Sequence, residues 1–190
     1  MSWFRRTPLA EANWVVLDCE TSGLDPRRDR LLAVGALRVA GGRIDLAQGF
    51  SARVRAPAPS APANILVHGI GGDAQLAAPL AEEVLPRFAG FVGDAVAVAY
   101  QAWFDREVLR RAMAGVGLRA PRRWLDLEPL ALDLFPRHTA ASLDDWLGAF
   151  GIEHAGRHDA LLDALAAAEL LLVLLAAARR QGRRSVEDLL

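Results

Sequence analysis

Apolar positions along this chain fall into runs of two periods, one suited to strands and the other to helices. Val15 to Leu17 is a short apolar, β-branched run closed by a turn at Ser22-Gly23, and it predicts a buried strand. Leu31 to Val39 predicts a second strand. Gly41-Gly42 is a hairpin signal leading into a third strand from about Arg43 to Val54. Three consecutive strands joined by short turns make an antiparallel meander. Ala56 to Ala63 carries three prolines and reads as an extended surface loop. Pro79 to Val92 then has helical spacing, with Leu80, Val84, Phe88 and Phe91 on one side.

The second half alternates. Asp94 to Tyr100 predicts a short strand, Asp105 to Ala114 a helix, and Trp124 to Leu127 a further strand. Ser142 caps a helix that begins Leu143-Asp144-Asp145. The last long helix runs from about Asp159 to Arg180, with Arg179 and Arg180 at its negative end. A meander followed by alternating helices and strands gives an α/β fold with a mixed central sheet. With 190 residues and no repeat or linker, the expectation is one domain, its core over about 14–176 with short extensions at both ends.

Composition narrows the setting. Hydrophobic content of 53% with 24% charged residues is that of a globular protein. The most apolar segment, Ala160 to Ala178, is interrupted by Asp163 and Glu169, and its longest charge-free stretch falls well short of the ~20 residues that span a bilayer. It reads as a core helix, with no membrane partner. Met1 to Arg6 is basic but has no apolar segment behind it, so it is not a secretory signal. Cys19, the only cysteine, excludes an internal disulfide and fits a reducing, cytoplasmic setting. A net charge of −1 argues against a blanket grip on nucleic acid, which would have to be held by a local patch or through metal ions. All 22 basic residues are arginine, but the abundance of Ala, Gly, Pro and Arg matches a GC-rich genome and carries little functional weight.

Two carboxylates stand at the end of the first strand. Asp18 and Glu20 are two residues apart, so strand geometry points them the same way. Two acids on one face of a core strand repel each other unless a cation lies between them, and an all-oxygen donor set suits Mg²⁺ or Mn²⁺. A strand end frayed into solvent would tolerate the pair equally well, and the pair alone does not choose. Asp105 follows the Asp94 to Tyr100 strand where the chain turns into a helix, and it reads either as a helix cap or as a third acid. Asp163 lies one turn into the final helix among Ala and Leu, where a carboxylate is costly without a partner. His158 is five residues earlier, about 140° away on a helix, so the two act together only if His158 sits on the incoming loop that Gly156 permits. There it is either a general base, for which histidine's titration near neutral pH suits it, or an ordinary solvated loop residue.

Taken in order, these segments resemble the DEDDh family of 3′→5′ exonucleases, most of all the proofreading epsilon subunits of bacterial DNA polymerase III. Asp18 to Asp25 resembles that family's D-x-E-T-[TS]-G-L-D, Ala99 to Asp105 its A-H-N-A-x-F-D, and His158 to Ala164 its H-x-A-L-x-D-A. His68-Gly69-Ile70 resembles an H-G-I element, Asp126 the acid of a D-T-L segment, and Ser142-Leu143 an S-L before a helix. The likeness runs from about Trp14 to Leu175. It implies a ribonuclease-H-like fold, with Asp18, Glu20, Asp105 and Asp163 holding two divalent ions, Mg²⁺ or Mn²⁺, and His158 as general base. It also implies Thr21 and Ser22 offering backbone N–H groups to the terminal nucleotide, Leu24 and Phe104 packing on its base, and His68 beside the substrate. Tyr100-Gln101 replaces the usual His-Asn, Trp103 stands where a small residue is usual, and Leu127 replaces Thr.

The implied partner is a single-stranded or frayed DNA 3′ end, from which nucleoside monophosphates are removed. The alternatives are a DEDDh ribonuclease trimming RNA ends or short oligonucleotides, and a silent nucleic-acid-binding or polymerase-associated module. The tail Gln181 to Leu190 gives a polymerase association no support.

Overall fold

The meander forms as its pattern predicts. In the computed structural model, which describes residues 6–154, 156 and 158–190, β1 (Asn13–Thr21), β2 (Leu31–Ala40) and β3 (Arg43–Arg53) pair antiparallel. Of the basic start Met1 to Arg6, only Arg6 lies within the described residues. Gly41 and Gly42, at φ 57° and 74°, supply the two left-handed residues of the β2–β3 hairpin. The chain then forms α1 (Pro62–His68), α2 (Gly72–Ala77) and α3 (Ala81–Val92) before β4 (Val96–Ala99). Next come α4 (Ala102–Gly115), β5 (Trp124–Asp126), α5 (Leu127–Leu134), α6 (Leu143–Phe150) and α7 (Ala160–Arg180). The sheet order is β3-β2-β1-β4-β5, with β4 parallel to β1 and β5 parallel to β4. This is the expected mixed sheet.

The alternation of β1 decides which residues meet which helices. Trp14 and Val16 pack into a core shared with α5, α6 and α7, whereas Val15, Leu17 and Cys19 face a second core with α3 and α4. Carried on by period two, Asp18 and Glu20 fall on the α7 side. Helix α7 packs across β1, β2 and β3. It is long and apolar enough by length and composition to span a membrane, but 61% of its most apolar window is buried inside the protein, as expected of a core helix.

Several elements depart from the sequence expectation, among them α2, which it lacks, and α4, which begins at Ala102 and not Asp105. The proline-rich stretch is not extended throughout, because α1 begins at Pro62, where a missing N–H and a fixed φ suit the first helical turn. Helix α3 begins only at Ala81, so Leu80 is the exposed N-cap and not part of the buried stripe. Strand β5 stops at Asp126, whose side chain accepts the Glu128 N–H and turns the chain straight into α5. The Ser142 cap forms a full capping box with Asp145.

Candidate active site

Asp18, Glu20 and Asp163 each place a carboxylate oxygen within 4.8 Å of the others. Strand alternation aims the first two at α7, and Asp163, buried in the first turn of that helix, completes the group from above. The positive helix end favours the carboxylates, but three acids this close still repel one another. An all-oxygen, all-anionic set is what a hard divalent cation takes. The close approach of α7 depends on Gly35, which pairs with Asp18 in the sheet. A Cβ there would lie 2.2 Å from the Ala160 carbonyl carbon. Nothing in the sequence marked Gly35.

Asp105 enters from the opposite face. It is not the cap of α4, a place held by Gln101, but a buried residue of the first turn. It lines the same cleft of about 450 Å³ as Asp18, Glu20, Asp163 and His158, but stands outside the tight group of three. Its neighbour is Cys19, which points to the α4 side. Burial pushes the Asp105 carboxyl up to about 7, against hydrogen bonds from the Cys19 thiol and from backbone N–H groups that pull it down. Burial, with the Asp105 and Asp18 charges, pushes the Cys19 thiol well up, so it stays a protonated donor. Asp126, itself pushed up by burial, accepts the Glu128 N–H at 3.1 Å, and the nearby backbone of Ala102 and Gln101 pulls its carboxyl back down.

A pH dependence follows for the protein without divalent ions. The folded state holds the Asp105 proton more tightly than the unfolded chain, so this contribution to stability is full below the ordinary value of 3.8 and is lost as pH rises through about 7. Unfolding temperatures in EDTA are expected to fall over that interval, and Asp105→Asn to flatten the fall. An identical pH profile in the variant would contradict the assignment.

His158 sits on the loop into α7 at φ 64°, exposed, with its backbone N–H donating to Asp163 Oδ2 at 2.9 Å. Asp163 thus holds the loop that carries the imidazole at the cleft mouth, an arrangement a continuous helix would not allow. Arg157 in this motif, like Ala155, lies outside the described residues.

The candidate substrate residues separate. Leu24 is 89% exposed and lines the cleft, which no core residue would do, and half-buried Phe104 and Thr21 line it too. Ser22 is corrected: its N–H donates to the Arg30 carbonyl at 2.9 Å and its hydroxyl to Asp29 at 3.0 Å, so it holds the loop and offers no free donor to a nucleotide. His68 also lines the cleft, but it is buried and both its ring nitrogens are engaged, Nε2 with Ser60 Oγ at 3.1 Å and Nδ1 accepting the Ile70 N–H at 3.0 Å. Burial lowers its pKa, so it is a neutral prop of the α1–α2 corner. Asn64 and Val67 of α1 also line the cleft; nothing in the sequence marks them, because the expected loop covers the Pro62 start of α1.

Residues 15–171 match the family of exonucleases. The chain belongs to the exonuclease family. A DNA polymerase III subunit epsilon-like protein of Rhodobacter capsulatus is 36% identical over 179 residues, which are 93% of this chain and 25% of that protein. The chain thus spans about a quarter of that relative's length. The DNA polymerase III epsilon subunit of Aquifex aeolicus is 33% identical over 90% of this chain and 84% of its own length. Among solved exonuclease structures, E. coli Exonuclease I in complex with a dT13 oligonucleotide superimposes with a TM-score of 0.76 at 20% identity, over 90% of this chain and 43% of that one. That likeness bears out the ribonuclease-H-like fold.

Proposed function

We propose that this exonuclease removes nucleoside monophosphates from single-stranded or frayed DNA 3′ ends in a metal-dependent hydrolysis. The observation that carries the reading is the carboxylate group of Asp18, Glu20 and Asp163, within 4.8 Å, in a chain of this family. With Asp105, these residues would hold two divalent ions, Mg²⁺ or Mn²⁺. Bound there, the ions would supply charge stabilisation to both the attacking and the leaving oxygen of an in-line displacement. His158 takes a proton from the attacking water as its oxygen bonds to phosphorus, the P–O3′ bond breaks, and the leaving 3′ oxygen acquires a proton. Leu24 and Phe104 pack on the terminal base, and Thr21 offers its backbone. One catalytic unit, with its core over about 14–176, is part of the proposal. A cytoplasmic setting accompanies it, supported by the polymerase names of the bacterial relatives.

The test is degradation of matched 3′-labelled and 5′-labelled DNA and RNA oligonucleotides with Mg²⁺, Mn²⁺ or EDTA. The expected result is metal-dependent release of labelled mononucleotide from the 3′ label first, with DNA the better substrate. Endonucleolytic fragments, 5′ polarity or faster RNA trimming would overturn it. His158→Ala is expected to slow single-turnover cleavage about 10²–10⁴-fold while calorimetric Mn²⁺ affinity is retained. Loss of metal and rate together would make the histidine a ligand or a prop.

A further inference from the structure

Net charge is −1, yet one surface beside the cleft is strongly basic. On α4, Trp103, Arg106 and Arg110 are spaced i, i+3 and i+7 and all three are exposed, so they form one stripe. The stripe starts at the cleft mouth: Trp103 is 59% exposed and meets the cleft residue Phe104 edge-on, ring centroids 5.7 Å apart. Seven residues of helix, roughly 10 Å, lead to Arg110, which lines a hollow of about 460 Å³ with Arg30, Arg55 and Arg111.

The donors there are unequally spent. Arg55 uses its Nε on the Ala78 carbonyl, and among the described residues no bond engages its terminal nitrogens. Arg110 gives Nε and Nη2 to Glu107 and keeps Nη1. Arg111 is committed to the carbonyls of Pro26 and Asp29, so it fixes the β1–β2 loop and adds charge. Of the nearby acids, Glu107 pairs with Arg110, Asp25 accepts the Arg27 N–H and lies 3.7 Å from Arg28, and Asp29 turns into the loop toward Ser22 and the Asp25 N–H.

We propose that this face of α4 is a track for the single strand behind its reacting end: Trp103 stacks a base, and Arg106, Arg110 and Arg55 hold successive phosphates. Aromatic platforms interleaved with arginine are the chemistry that binds single strands without reading sequence. The inference rests on the exonuclease reading, but its test does not need hydrolysis.

The experiment is fluorescence anisotropy of the full chain in EDTA across a salt series, with 5′-fluorescein dT10 and a decamer of abasic deoxyribose phosphates. Trp103→Ala should weaken dT10 binding about tenfold and leave the abasic decamer nearly unaffected. Arg55→Gln with Arg110→Gln, which keeps much of the side-chain packing, should reduce the slope of log affinity against log salt by about 1.4, two contacts of about 0.7 each. An unmoved dT10 affinity, an equal loss on both decamers, or an unmoved salt slope would overturn the track. Failure of Mn²⁺-dependent cleavage by the unaltered protein would instead refute the exonuclease reading.

Discussion

Asp18→Asn is expected to abolish cleavage while the fold survives. Asp18 faces Glu20 and Asp163 with oxygens within 4.8 Å, and replacing one carboxylate by an amide removes both a charge and a hard oxygen ligand. Divalent ions held by this group would supply several kcal/mol of transition-state stabilisation, so single-turnover rates should fall by at least about 10³-fold. The fold should survive, because asparagine keeps the size and shape of the side chain. A cooperative unfolding transition should remain in EDTA, and the Mn²⁺-induced rise in unfolding temperature should shrink. Near-normal cleavage by the variant would remove the metal assignment altogether.

Gly35→Ala should be the most damaging change away from the carboxylates. An added Cβ would meet Ala160 C at 2.2 Å, Ala160 O at 2.3 Å and Leu161 N at 2.3 Å, all backbone atoms of the first turn of α7. Backbone cannot swing aside as a flexible side chain can, so α7 must lift from β2 or the sheet must bend. Overpacking of this kind costs about 1–3 kcal/mol. The functional effect should exceed the stability effect, because lifting that turn carries Asp163 away from Asp18 and Glu20. Gly49→Ala is the control: the nearest atoms to its Cβ would be the side chains of Leu37 at 3.2 Å and Leu161 at 3.5 Å, and the Ala36 carbonyl at 3.9 Å. Calorimetric Mn²⁺ titration of both variants should show loss of affinity at position 35 and near-normal affinity at 49. Equal behaviour would mean that α7 is not set by this contact.

What was legible in the sequence, and what was not, follows from the range over which each feature is encoded. Period-two alternation is local, so the β1 acids could be placed on one face before their surroundings were known. Asp163 was legible because a carboxylate among Ala and Leu contradicts its neighbours. Helix α1 was hidden because prolines read as loop formers, although Pro62 at the first turn is also a helix start. The brief β5 was visible, but not its direct continuation into α5, which depends on Asp126 capping α5. The role of Gly35 is tertiary: its environment comes from a helix 125 positions later in the chain. That the Ser22 N–H is spent on the loop and that His68 is a neutral prop at the cleft wall have a related cause. Their polar atoms are taken by Arg30, Asp29, Ser60 and Ile70, partners that motif spacing does not reveal.

The separation of Asp105 from the other three acids is the part of the site with most physical content. It lies behind β1 beside Cys19, its carboxyl pushed up by burial, while the others face α7. All four side chains line one cleft, so a deprotonated Asp105 would add a fourth carboxylate to a divalent ion held by the other three.

The most direct measurement is an anomalous difference map from crystals of the protein soaked with Mn²⁺ and thymidine monophosphate. The account predicts manganese peaks bounded by the carboxylates of Asp18, Glu20, Asp105 and Asp163, with His158 facing the phosphate across them. A map with manganese elsewhere, or with none at these four side chains, would contradict it.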